Sequence, residues 1–428
     1  TGTGNIFDVD PMVASGNASL SPGSTTLGNH TSSATLSNLV GHGVLKGTYV
    51  DVVTDRCGTN YGAYSASNDF RFAHGDERFA EVMNYYHGNL YRSDLAAGNV
   101  LYPSSSFLMI ANCDIEDNAY YSQGLDSQGN LVDFVCMGKP SAYTTTNFSD
   151  DSHVVVHELQ HGTTGNAYST SEDFNKLNYD EAGAINEAVS DFVALMQSDT
   201  QVSSPFLNTE FSRWGLGQFF SSGSLMRGAA KCPVWTPHYP TCTGWNKATT
   251  GFSALNRRIS FTYPHGLGWP YAGPSTSATL REVIEDSSGF EQIHQTAPII
   301  TGALFDVYEA IKASSGDAAA TRRRMLTLLV ETIKTLPKES AADPSPVTMP
   351  GFAAALVTQS QSATPGFSPA EETAIANALS ARGLTGITAV ADNWATVGPF
   401  ADDHAGIFFF ATTGVNNGRL GANKKGLL

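Results

Sequence analysis

The chain has 428 residues, with 24 Lys and Arg against 40 Asp and Glu, a formal charge of −16. Such a balance argues against nucleic acid or an anionic bilayer as partner, since a phosphate surface would repel it. At 41% hydrophobic residues the chain is too apolar to be disordered, and no apolar run reaches the ~18 residues of a membrane span. The length allows two or three domains with cores of their own. Only 15% of residues are charged, so Ser, Thr, Asn and Gly must build much of the surface, a composition that suits an exported protein. The chain opens at Thr1, without a signal-like apolar segment, as expected if a leader and pro-segment have been removed or the ends trimmed.

Residues 1 to about 150 are rich in Gly, Ser, Asn and Thr, with short apolar stretches such as Gly47-Thr-Tyr-Val-Asp-Val-Val53 and Asn130-Leu-Val-Asp-Phe-Val-Cys136. These read as strands joined by polar loops, with a helix around residues 77–86. From Asp151 onward the periodicity turns helical, over 154–163, 182–197, 298–313, 318–336 and 369–382. Ser368-Pro369-Ala370-Glu371 is a capping-box start with proline at the first helical position, and Gly383 is the expected stop. Residues 198–290 are loop-rich. No internal repeat is found. Strands first and helices later favour an α+β protein over a βαβ sheet. The tetrad Ile407-Phe-Phe-Phe410 in the tail reads as a buried strand or an interface.

Five cysteines, Cys57, Cys113, Cys136, Cys232 and Cys242, are too few and too scattered for a disulfide framework or a thiolate cluster. Cys232 with Cys242 and Cys113 with Cys136 are the expected pairs in an oxidising compartment, leaving Cys57 free. Asn17-Ala-Ser19, Asn29-His-Thr31 and Asn147-Phe-Ser149 fit the glycan acceptor pattern.

The informative segment is His157-Glu158-Leu159-Gln160-His161. Positions four apart share a helix face, so both imidazoles can chelate one ion. Val154, Val155 and Val156 bury that helix, and Glu158 stands beside the first ligand, placed to hold a metal-bound water without ligating the metal. A third protein ligand comes from Gly183-Ala184-Ile185-Asn186-Glu187-Ala188-Val189-Ser190-Asp191. Glu187 supplies the carboxylate, and Asp191, one turn on, can accept the other ring N–H of a ligating histidine. The alternative is an acidic solvent face, but Ala184, Ile185, Ala188, Val189, Phe192 and Val193 leave little polar surface there.

Taken together, His157–His161 and Gly183–Asp191 resemble the thermolysin-like metalloproteases and their fungalysin relatives, the second element matching at every fixed position. The resemblance implies a two-lobed α+β fold, with a β-rich N-terminal lobe, a mainly α-helical C-terminal lobe and the zinc cleft between them. The expected division is 1–165, 166–386 and a C-terminal extension, 387–428. The resemblance also implies Zn2+ on His157, His161 and Glu187, catalytic Glu158, and Asp191 behind a ligand. Asn118-Ala119-Tyr120-Tyr121 is similar to the family's edge-strand segment, in which Asn118 and Ala119 would hold substrate as an added strand. Tyr179 and His294 resemble the family's two oxyanion donors. His265 and His238 are alternatives to His294, and His404 reads as exposed. Arg227 resembles the arginine that binds a substrate carbonyl, with Arg257 or Arg258 as alternatives. Val154 and Leu225 are the candidates for the pocket beside zinc.

Some positions depart from the family. The thermolysin double calcium site uses an Asp where this chain has His153, and a carboxylate where it has Ser198. That double site is therefore expected to be absent or rebuilt, and calcium elsewhere stays open. Asp286 and Glu291 both compete to orient His294. The function implied by the resemblance is that of a secreted, monomeric zinc endopeptidase acting on proteins or peptides, with a hydrophobic residue preferred on the amine side of the bond. An aminopeptidase or narrow-specificity hydrolase on the same scaffold, and a non-catalytic zinc-binding relative, remain alternatives.

Overall fold

The computed structural model describes residues 1–17, 19–54, 60–125, 131–141, 143, 145–168, 177, 180–199, 215–217, 219–220, 227–228, 297–338, 347–381 and 384. The chain divides into two compact units, Thr1–Thr163 with Val193–Met226, and Thr164–Phe192 with Arg227–Leu428. The described chain is a mixed α/β structure, compatible with the α+β class. Expectations for Cys57, Cys232, Cys242, Gly383 and the extension 387–428 lie outside the described residues.

In chain order the first unit contains β1 (Gly2–Ile6), α1 (Pro11–Ser15), β2 (Ser32–Leu36), β3 (Val50–Val53), β4 (Asp69–Phe70), α2 (Glu77–Ala97), β5 (Phe107–Ile110), β6 (Ala119–Leu125), β7 (Leu131–Met137) and all but the last turn of α3 (Ser152–Tyr168). Its three-stranded sheet has the order β2-β1-β4 and its four-stranded sheet the order β3-β5-β7-β6. In the second sheet β3, β5 and β7 run parallel, while β6 pairs antiparallel to β7 from Ala119↔Met137 to Leu125↔Leu131. Between the parallel neighbours β3 and β5 the chain passes through α2, so this sheet contains a βαβ crossover, contrary to the expectation from strands first and helices later. A parallel pair needs such a connection, and α2 packs on β3, β1 and β5.

One α2 side chain holds several segments at once. Arg92 is fully buried and, among the described residues, has no carboxylate within ion-pair distance. Instead it donates Nε to Tyr49 O at 3.0 Å, Nη1 to Tyr102 O at 3.2 Å, and Nη2 to Pro103 O and Ser105 O at 2.7 and 2.8 Å. Its guanidinium also lies 5.2 Å from the Phe107 ring centroid. Burial lowers its pKa to about 10, still ionised at neutral pH.

The pair Cys113–Cys136 is bridged, with Cα atoms 5.5 Å apart, beside Val53, Ile110 and Phe134. Of the three glycan acceptor candidates, Asn17 and Asn29 are exposed. Asn147 is not available: it is buried, accepts from Ser149 N at 2.8 Å and donates to Asn112 Oδ1 at 3.1 Å.

The second unit holds most of α4 (Asp180–Ser198), then α5 (Pro298–Ser315), α6 (Ala318–Thr335), α7 (Met349–Ser360) and α8 (Pro369–Ala381). Phe192 of α4 packs edge-on against Tyr308 of α5, ring centroids 6.2 Å apart. The helix α8 packs on α5 and α7, and α6 on the same two. Ser368 caps α8 as expected, with its N–H and hydroxyl donating to Glu371 Oε2 at 2.8 and 2.9 Å. Arg324 of α6 grips the same carboxylate through both Nη atoms, at 2.6 and 2.9 Å.

The Arg324 bond, then the cap, hold Glu371 down to about 2, against the ordinary 4.5. A depressed carboxylate contributes stability that is complete above its unfolded pKa and is lost as pH falls through its folded one. We therefore expect a loss on the order of 3 kcal/mol between about pH 4.5 and pH 2 from this group. Denaturant titrations across that range should show a shallower acid decline in Glu371→Gln than in the wild type. Parallel curves would contradict the assignment.

Candidate metal centre

The helix α3 is a buried helix made largely of polar residues. Val155, Val156 and Leu159 are at most 1% exposed, but so are His153, Gln160, Thr163 and Thr164. Val154 is half-buried rather than part of the core. Asp151 starts the helix, its Oδ1 accepting from His153 N at 2.8 Å. The Tyr91 hydroxyl of α2 donates to Gln160 Oε1 at 2.6 Å. Gly88 and Gly162 let the surrounding elements close in. A Cβ on Gly88 would stand 2.8 Å from Met109 Sδ and 3.2 Å from Leu159 Cδ1. One on Gly162 would overlap the Phe107 ring and stand 3.0 Å from Tyr121 Cε2. The residue after His161 is thus pressed on β5 and β6.

His157 and His161 bring their Nε2 atoms to 3.0 Å, with the rings perpendicular and the centroids 4.6 Å apart. Two imidazole nitrogens on one tetrahedral zinc at ~2.0–2.1 Å stand roughly 3.3 Å apart, so this approach is close to that of two ligands of one ion. On α4, Glu187 is 6% exposed and Asp191 fully buried, on a helix apolar on nearly every side. His157, His161 and Glu187 each offer a ligand atom within 4.8 Å of the other two. Two imidazoles and a carboxylate form a donor set that suits zinc, and three protein ligands leave a fourth position for water or substrate. Glu158, 8% exposed, adjoins this cluster in sequence.

The remaining candidates divide by location. Asn118 is exposed at the start of β6, its Oδ1 accepting from Ala119 N at 2.9 Å. Among the described strands β6 lies at an edge of its sheet. Arg227 lies in the two-residue strand Arg227–Gly228, which packs on α5. Tyr179 and His294, with Leu225, His238, Arg257, Arg258, His265, Asp286, Glu291 and His404, lie outside the described residues. At the positions where the double calcium site would need carboxylates, His153 is fully buried, and Ser198 donates to Leu195 O at 2.7 Å.

Residues 104–225 match the family model of the fungalysin metallopeptidases. This stretch of the chain is similar to the fungalysin metallopeptidases. The fungalysin-like span takes in α3 and α4, and with them Asn118, Ala119, His157, Glu158, His161, Glu187 and Asp191, but neither Arg227 nor His294. It covers less than a third of the chain. No curated protein matches the sequence. Among the described residues no helix is long and apolar enough to cross a membrane.

A second buried group is not evident from the sequence: Asp10, Asp151 and His153 also offer ligand atoms within 4.8 Å of one another. Burial, then the neighbouring Asp10 carboxylate, push Asp151 well above the usual carboxylate range. No spacing rule connects residue 10 with residue 151. The only local signal is His153 itself, an imidazole one turn ahead of His157.

Proposed function

We propose that this chain is a secreted zinc endopeptidase. What carries the reading is the convergence of His157, His161 and Glu187 within the segment that matches a metallopeptidase family. Bound by these three side chains, zinc supplies a Lewis acid and makes water nucleophilic near neutral pH. Glu158 accepts the proton of the attacking water and returns it to the leaving amine. Asp191 orients a ligating imidazole by accepting its second ring N–H. Tyr179 and His294 donate to the developing oxyanion, and Arg227 to a substrate carbonyl. Asn118 and Ala119 receive an extended peptide along β6, whose position at a sheet edge supports that role. An extended strand on an open edge favours cleavage inside a chain, with an apolar residue on the amine side of the bond. The Cys113–Cys136 bridge supports an oxidising, extracellular location.

The test is hydrolysis of casein and of peptides blocked at their amino termini, before and after treatment with a zinc chelator. The expected result is internal cleavage that chelation abolishes and added Zn2+ restores. Activity that survives complete zinc removal would contradict the proposal, and cleavage only of peptides with free amino termini would replace the endopeptidase by an aminopeptidase.

A further inference from the structure

We infer that Asp10, Asp151 and His153 form a second, closed site for a transition-type dication, separate from the catalytic ligands. All three side chains are fully buried and present ligand atoms within 4.8 Å of one another. The site joins two chain segments far apart in sequence. Asp10 caps α1, its Oδ1 accepting from Val13 N at 2.9 Å, and Asp151 caps α3 through its own Oδ1. The backbone fixes the two caps side by side, Ser152 N donating to Val9 O at 2.7 Å.

Helix capping does not account for the whole arrangement. Capping occupies one oxygen of Asp151, while its Oδ2, inside the protein, accepts no hydrogen bond from the described residues. Two carboxylates buried together need a countercharge or a proton. His153 Nδ1 is 3.6 Å from Asp151 Oδ1; an imidazolium there, though favoured by the carboxylates, would balance only one of the two, and two effects oppose it. It would be out of water, and it would sit in the first turn of α3, at the positive end of the helix dipole. A neutral imidazole is a ligand of the kind that first-row dications take. Asp150 adds no positive charge, because it too is a buried carboxylate, paired with His74 at 3.0 Å. Two carboxylates and a neutral imidazole therefore match a dication in charge and in donor type.

The imidazole nitrogen also selects the metal. Calcium takes oxygen ligands alone, whereas mixed imidazole and carboxylate sets suit zinc and its first-row neighbours. Full burial marks a structural site and not a catalytic one. Its place is at the start of α3, one turn before His157, where a bound ion would tie the N-terminal segment to the helix that carries the catalytic histidines.

The experiment counts zinc. The full chain is stripped with chelator, reloaded with excess Zn2+, separated from free metal and analysed for content. Two equivalents are expected in the wild type, and one each in His153→Ala and in the double variant His157→Ala/His161→Ala. A single equivalent in the wild type that disappears in the double variant would overturn the second site while leaving the catalytic one standing. A single equivalent that persists in the double variant and is lost in His153→Ala would support the second site and overturn the catalytic ligand set. Two equivalents retained in His153→Ala would place the extra ion elsewhere and overturn the assignment. The double variant leaves Asp10, Asp151 and His153 untouched, so its residual equivalent decides the question even if His153→Ala does not fold.

Discussion

Glu158→Gln is expected to reduce peptide hydrolysis at least a thousandfold, roughly 4 kcal/mol in barrier, while leaving zinc content unchanged. The substitution keeps the shape and near-complete burial of the side chain but removes its capacity to take a proton. Because Glu158 lies outside the ligand cluster His157, His161 and Glu187, the metal should stay. The two readouts must separate for the assignment to hold. Loss of zinc along with activity would make Glu158 a ligand, and activity within tenfold of wild type would show that another group is the base. By contrast, Glu187→Ala should lose metal and activity together.

The second large effect concerns stability. Arg92→Met is expected to cost about 3 kcal/mol in denaturant unfolding, because four partly buried carbonyls lose their shared, fully buried donor. Those carbonyls belong to Tyr49, Tyr102, Pro103 and Ser105, which flank β3 and lead into β5. Methionine replaces the apolar stem and takes the guanidinium donor from all four acceptors. Arg92→Lys should recover only part of the loss, since a point-like ammonium cannot reproduce a planar fork reaching both segments. A cost below 1 kcal/mol for the methionine variant would mean that the loop relaxes to water and that Arg92 is not its anchor.

Legibility in the sequence depends on whether the signal is local. The helices α3 and α4 announce themselves through four-residue spacings, and the cap at Ser368 and Glu371 is written in consecutive residues. The second half of α2 is not legible, because Gly88, Asn89, Ser93 and Asp94 are poor helix formers. Packing overrides that preference: Gly88 admits Met109 and Leu159, and Asn89 and Asp94 are buried. Likewise α7 opens with Met-Pro-Gly, which reads as a turn until Thr348 is seen to cap it, accepting from Gly351 N at 3.2 Å. The parallel pairing of β3 with β5 and the meeting of Asp10 with His153 are long-range facts, and no local pattern encodes them.

One ion is proposed to join α3 to α4 through His157, His161 and Glu187. Anomalous diffraction at the zinc edge, from crystals grown with Zn2+, measures this without reference to activity. The expected result is a peak within bonding distance of His157 Nε2, His161 Nε2 and a Glu187 carboxylate oxygen. A peak bound by the two histidines with Glu187 turned away, or no peak at that pair, would contradict it.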